Sequence, residues 1–553
     1  MKFSKHSLPL TIGILLSIFM VACSSDSSDS NNSDSGSEGK AEQTLNLTNG
    51  DTIPSMDSSL AADEYGFQFL GATTEGLYRL GKDAEIVDGI ATEHKVSEDA
   101  LTWTFTLRED AVWSNGAPVT AHDFVYAWRR AINPETGSEY GPYMMNGVIK
   151  NATAISNSEL PVEDLGIKAK DDYTVVVTLE KPIPYFESLT TFGTFLPLNQ
   201  KFVESKGDEY ATSSENLLSN GPFKLMDWDS TTSSWNLVKN EDYWDAETVS
   251  LEKITFDVVK DPQVAVDLYE KGRVDRAGLS ADLVDRYASN EDYKVTPETS
   301  VFYFKFNQTT SEALANKNIR KAISRAFNKQ ALVDEILNNG SIVANGLVPK
   351  EFVSMPEGGE DFREVSGDLV TYDVEKAKKL WEKGLEEIGK ETVELEFLAG
   401  DGETSKNMNE YLANQLETNL EGLTINLKQV PFEQRLTLSE NMNYDLQFYG
   451  WGPDYLDPYT FLNMYITDSQ YNKMGYSNPK YDELMKKSAT DYVLDPVKRY
   501  NAFLEAEKIL FEDAAIAPIY QSARAQLVKP YVEGVISNPF GQTYEWKWAS
   551  INK

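Results

Sequence analysis

Apolar and polar positions alternate along 101–107 (LTWTFTL), 172–179 (DYTVVVTL), 233–239 (SSWNLVK) and 253–259 (KITFDVV), a period of two that predicts four half-buried strands. Residues 301–306 (VFYFKF) form a further apolar strand candidate. A period near 3.6 takes over in 120–132 and 262–272, predicting helices. In the first, Thr120 is placed to cap the N-terminus with Asp123 as the reciprocal acid, and Phe124, Val125 and Trp128 follow at helical spacing. From 316 onward Ile319, Ala322, Ile323, Ala326, Phe327, Leu332, Val333, Ile336 and Leu337 recur at helical spacing, with Gly340 as the expected C-terminal stop. Asp373 then caps a helix whose core positions are Ala377, Leu380, Trp381, Leu385 and Ile388. Strands at 393–398 (VELEFL) and 423–430 (LTINLKQV) flank a helical stretch, the pattern of a β-α-β crossover. The turn signal Asn220-Gly221-Pro222-Phe223 divides a mixed unit over 85–211 from a second α/β unit. Two such units joined by chain crossings leave a cleft between them, a common place for a ligand.

The N-terminus departs from these patterns. Lys2 and Lys5 precede an apolar run from Leu8 to Val21 that is shorter than the roughly 20 residues a spanning helix needs, so it reads as a secretory signal. Met20-Val21-Ala22-Cys23 resembles a bacterial lipobox, in which cleavage before a lipid-modified cysteine makes Cys23 the mature N-terminus. Residues 24–42 contain no large apolar side chain, and so cannot offset ordering entropy. The expectation is a signal over 1–22 and a flexible Ser/Asp-rich tether over 23–43 that holds the folded part near a membrane through lipid on Cys23.

Composition narrows the chemistry. The chain has 553 residues, enough for two to four domains, and its formal net charge of −36 would repel a phosphate backbone, which argues against nucleic acid as a partner. A single cysteine excludes intrachain disulfides and a thiolate zinc cluster. Loss of residues 1–22 leaves His94 and His122 as the only histidines, and the second sits in the capped helix start. No H-E-x-x-H, G-x-S-x-G, G-x-G-x-x-G or P-loop is present. No catalytic residue, metal or cofactor is expected. Asp454 and Asp457, in GWGPDYLDPYTF, were the one carboxylate pair to weigh for glycoside chemistry, and nothing in the sequence fixes their separation.

Residues 113–130, WSNGAPVTAHDFVYAWRR, closely resemble the signature of oligopeptide-binding proteins of ABC importers, the family 5 extracellular solute-binding proteins. SNGPFKLMDW (219–228), NIRKAISRAFNKQALVDEI (318–336), GWGPDYLDPYTFLNMY (450–465) and ARAQLVKPYVEGV (523–535) match the same family in the same order, from about residue 44 to the C-terminus. The resemblance implies an α/β, periplasmic-binding-protein-like type II fold in a large three-lobed variant. Lobe I would gather 44–84, 212–306 and 515–553, lobe II would be 85–211 and lobe III 307–514, with a hinged cleft between lobes I and III. It further implies a monomeric receptor on the extracytoplasmic face of a Gram-positive cell membrane, which delivers an oligopeptide to the transmembrane subunits of an ABC permease. Rival readings are a dedicated signal-peptide (pheromone-like) receptor using the same importer, and a surface hydrolase or adhesin.

In relatives that clamp the peptide's free end, an aspartate in the segment matching Trp451 to Tyr455 pairs with the α-amino group, and Asp454 occupies that place. The resemblance thus implies Asp454 as ligand anchor among Trp451, Gly452 and Tyr455; the residues alone equally allow a turn or helix cap ahead of Pro458. Periplasmic relatives carry an arginine six residues earlier, where this chain has Phe448, and their early glutamate and valine appear as Ala62 and Glu64. Glu64 therefore joins the candidate ligand-binding set. Tyr143, Tyr303, Phe432 and Tyr520 match positions near the cleft of relatives and complete it.

Overall fold

The structure is a computed structural model that describes residues 42–553. The signal, Cys23 and the tether as far as residue 41 lie outside the described residues. The alternating segments form strands as expected. Thr102–Leu107 and Thr174–Thr178 pair antiparallel at the centre of a four-stranded sheet completed by Ala91–Val96 and Ile167–Asp171. Ser234–Lys239 and Lys253–Val258 are central in a second four-stranded sheet, edged by Phe223–Met226 and by Thr44–Asn49, which returns parallel to Lys253–Val258. Helix Ala121–Ile132 carries the capping box: the Thr120 N–H donates to Asp123 Oδ2 at 2.7 Å. Its Phe124 and Trp128 are fully buried, and Trp128 Nε1 donates to the Phe195 carbonyl at 2.9 Å. Each such ring contributes about 2–3 kcal/mol by leaving water. His122 points outward beside Asp172.

A seven-stranded sheet organises the rest. Val393–Gly400 and Leu423–Val430 run parallel with helix Glu403–Asn419 between them, the expected crossover. Two long antiparallel strands, Tyr293–Phe306 and Ile516–Val528, form the spine of this sheet. Ala525 and Leu527 at one end pack with Val266, Tyr269 and Leu279, whereas Phe304, Phe306, Ala517 and Ile519 at the other end pack with Leu395, Phe397 and Leu412. The strands therefore link two separate cores. The pairing register shifts between Pro297 and Val301, in the stretch between those cores. A bulge there bends the strand and loosens the ladder locally.

Two element boundaries differ from the sequence pattern. The helical run from 316 is broken: Lys317–Ile323 ends at Ser324, whose Oγ donates to the Arg320 carbonyl, and the chain restarts at Asn328, whose side chain accepts from the Ala331 N–H. These short polar side chains offer the backbone alternatives to a continued helix. The run then closes in a π-turn over Leu332–Leu337 with Asn338, at φ 45°, as its left-handed cap, so the stop falls two residues before Gly340.

Candidate ligand-binding site

Strand Leu446–Trp451 pairs with Tyr293–Phe306 along its whole length, from Leu446 opposite Phe306 to Trp451 opposite Val301. On its other side Val393–Gly400 pairs only at Leu446 and Gln447. From Phe448 to Trp451 one edge has no strand partner among the described residues, and Gly452, just beyond, is exposed. A β-carbon on Gly450 would fall 2.4 Å from the Phe302 ring, which is why this position takes glycine. An unpaired edge presents a row of N–H and C=O groups to any extended chain laid beside it.

Asp454 lies just past that edge and is 5% exposed. The Tyr140 hydroxyl donates to Oδ1 at 3.4 Å and the Thr460 hydroxyl to Oδ2 at 3.3 Å, while Thr460 Oγ1 accepts from the Asp454 N–H at 3.1 Å. Tyr143 stands beside it, its hydroxyl 3.3 Å from both the Thr460 carbonyl and Asn463 Oδ1. Among the described residues no lysine, arginine or histidine pairs with this carboxylate. Burial pushes it up to about 8, against smaller opposing contributions from the Tyr143, Thr460 and Tyr140 hydroxyls. Trp451 closes the cage through edge contacts with Tyr143 and Tyr471, and its buried Nε1 finds no acceptor among the described residues. The arrangement is a buried, aromatic-walled acid suited to a cationic group.

The remaining candidates fall into two groups. Glu64 opens helix Glu64–Thr73 and its side chain is exposed; surrounding protein and the nearby Glu298 raise its carboxyl, and Arg524 opposes them. Its neighbour Tyr65 meets Phe432 edge-on at 5.3 Å. Tyr520, stacked on Phe302 at 4.7 Å, lies close enough to feel Arg435, as does Tyr65. In contrast, Tyr303 is 1% exposed against Tyr449 and Tyr465, and Tyr455 stacks on Tyr185 at 4.5 Å, away from the Asp454 carboxylate. Sequence reasoning missed Tyr140, Thr460 and Arg435. Thr460 stands within GWGPDYLDPYTF itself; the other two come from distant segments and carry no local signal.

A free strand edge ending at a buried acid, beside two strands that link separate cores, suits the capture of an extended solute. Residues 85–473 match the profile of bacterial extracellular solute-binding proteins, family 5 (middle part). The dipeptide-binding protein of Lactococcus lactis subsp. cremoris is 35% identical over 555 residues, covering 98% of both chains. The structure of Listeria monocytogenes OppA bound to peptide is 45% identical with a TM-score of 0.89, covering 93% of this chain and 100% of that one. The structure of the pheromone receptor PrgZ is 34% identical with a TM-score of 0.88, again covering 93% of this chain and 100% of the other. The chain belongs to family 5 of the bacterial extracellular solute-binding proteins and has the α/β fold of its oligopeptide-binding members. It is a receptor rather than an enzyme.

Proposed function

We propose that the mature chain is a lipid-anchored receptor on the extracytoplasmic face of a Gram-positive cell membrane, which captures oligopeptides between lobes I and III and hands them to an ABC permease. The observation that carries this reading is Asp454: a buried carboxylate with no counter-cation among the described residues, at the end of a free strand edge. A peptide's α-ammonium supplies the missing charge, and its backbone pairs along Phe448–Trp451 without regard to side chains. The relatives named as dipeptide-binding and as bound to peptide support the ligand class. The lipobox-like MVAC ending at Cys23 supports the anchor.

The test is a thermal-shift screen of the full mature protein against peptide pools of defined length. A ligand that binds only the folded state at 100 times its Kd stabilises it by about 2.7 kcal/mol, so at least one pool raises the Tm. No stabilisation by any pool, with turnover of one, would overturn the receptor reading. Selection of one peptide from a complex pool would assign a dedicated signal-peptide receptor instead of a broad importer.

A further inference from the structure

The seven-stranded sheet has a face that the site above does not use. Strand Arg276–Leu279 closes one side of the sheet, paired antiparallel with Ile516–Val528, which pairs in turn with Tyr293–Phe306. Ala277, Leu279, Ala525 and Leu527 turn one face of these strands into the core with Val266 and Tyr269. Strand alternation sends Arg276, Gln526 and Lys294 to the other face, where they line a cavity of about 430 Å³. Leu45 and Leu47 of strand Thr44–Asn49, Val532, and the rings of Tyr544 and Trp546 supply its apolar wall. The volume falls within the roughly 300–1,000 Å³ of small-molecule sites, and the lining has their character, an apolar wall with a few polar groups. Asp454, Trp451 and Phe432 do not line it.

The polar groups on this wall are donors without partners. Arg276 is half-buried, its guanidinium 4.3 Å from the centre of the Tyr544 ring, and among the described residues it makes no ion pair and no side-chain hydrogen bond. Burial pulls its pKa below the ordinary value, with Tyr544 and Glu298 opposing and Arg524 adding to the shift. Glu298 is already paired with Arg524 at 2.7 Å. Gln526 is 8% exposed, and its amide has no hydrogen-bond partner among the described residues. Lys294 stands opposite it in register, exposed and without an ion pair among the described residues. Glu533, the acid on the wall, accepts from Asn552 Nδ2 at 2.7 Å. We propose that this cavity binds a small carboxylate with an apolar body, its head on Arg276, Lys294 and the Gln526 amide and its body against Tyr544, Trp546 and Val532. The site is separate from peptide capture and does not depend on it. A planar guanidinium takes a carboxylate through two parallel hydrogen bonds, and the counter-charge offsets the cost of holding an unpaired cation against an apolar wall.

Isothermal titration of the full mature protein tests this with naphthylacetate and decanoate, each beside its uncharged primary amide. Wild type is compared with Arg276→Gln and with Thr296→Trp, which places a large ring on the cavity wall and leaves the guanidinium in place. One acid is expected to bind about 10- to 100-fold more tightly than its amide, the loss typical of a charged hydrogen-bonded contact. Arg276→Gln should bind acid and amide alike, and Thr296→Trp neither. Preference for naphthylacetate would assign an aromatic body and preference for decanoate an acyl chain, and either supports the site. Wild type binding neither acid, wild type binding acid and amide equally, or Arg276→Gln keeping the wild-type preference would overturn it. A repeat in the presence of a saturating peptide separates the cavity from the cleft: unchanged affinity for the acid supports a second site, and competitive displacement overturns it. Tm and unchanged peptide affinity confirm that the variants fold, and the comparisons on wild type need no variant.

Discussion

Asp454 sets the chemistry at the residue scale. Its carboxyl moves from an ordinary 3.8 to about 8 because burial removes water that three hydroxyls only partly replace. Between those pH values the folded, unliganded protein holds a proton that the unfolded chain releases, so its stability falls as pH rises through that window. Asp454→Asn removes this titration. Without peptide, its Tm exceeds that of wild type by a few degrees at pH 8, and the difference closes near pH 4; differential scanning calorimetry across pH 4–8 measures it. A pH-independent difference would place the proton elsewhere. The segment that holds Asp454 was legible in the sequence through its family resemblance. The cage was not: Tyr140 precedes it by 314 residues, and nothing in a local pattern connects them.

At the scale of elements, the turn after strand Leu446–Trp451 is fixed from outside. Asp457 Oδ1 accepts from the Tyr459 N–H at 2.9 Å, and the same carboxylate grips Arg499 of helix Pro496–Glu512, with Nη2 2.9 Å from Oδ1. Both side chains are nearly inaccessible, so Asp457→Asn strands a buried guanidinium and costs about 3 kcal/mol of stability in urea unfolding. The double variant Asp457→Asn/Arg499→Met recovers much of that loss. Strands and helices with clean periods, such as Thr102–Leu107 and Ala121–Ile132, were readable because one face of each meets a core. The extension of the 301–306 strand back to Tyr293 was not, since Pro297 and the mixed polar residues around it break the alternation that pairing with Ile516–Val528 overrides. The break at Ser324–Asn328 was hidden for the opposite reason: its apolar spacing continues while its side chains cap.

At the scale of the whole molecule, one lysine ties distant segments together. Lys260 bridges Asp51 at 2.9 Å and Asp401 at 3.0 Å, joining segments far apart in the chain, and Tyr65 meets Phe432 edge-on at 5.3 Å. The two linking strands carry register shifts between Pro297 and Val301 and between Phe302 and Tyr303. Under the proposed function, closure stabilises a ligand only through contacts made in the closed state, and the contact to test is the one at Asp454. Isothermal titration of one short peptide, free or N-acetylated, against wild type and Asp454→Asn tests that claim most directly. Acetylation is expected to weaken binding to wild type by about 30- to 1,000-fold, the loss typical of truncating one partner of a buried charge pair, with Asp454→Asn binding both forms equally and weakly. Equal affinity of the free and acetylated peptides for wild type would contradict the account.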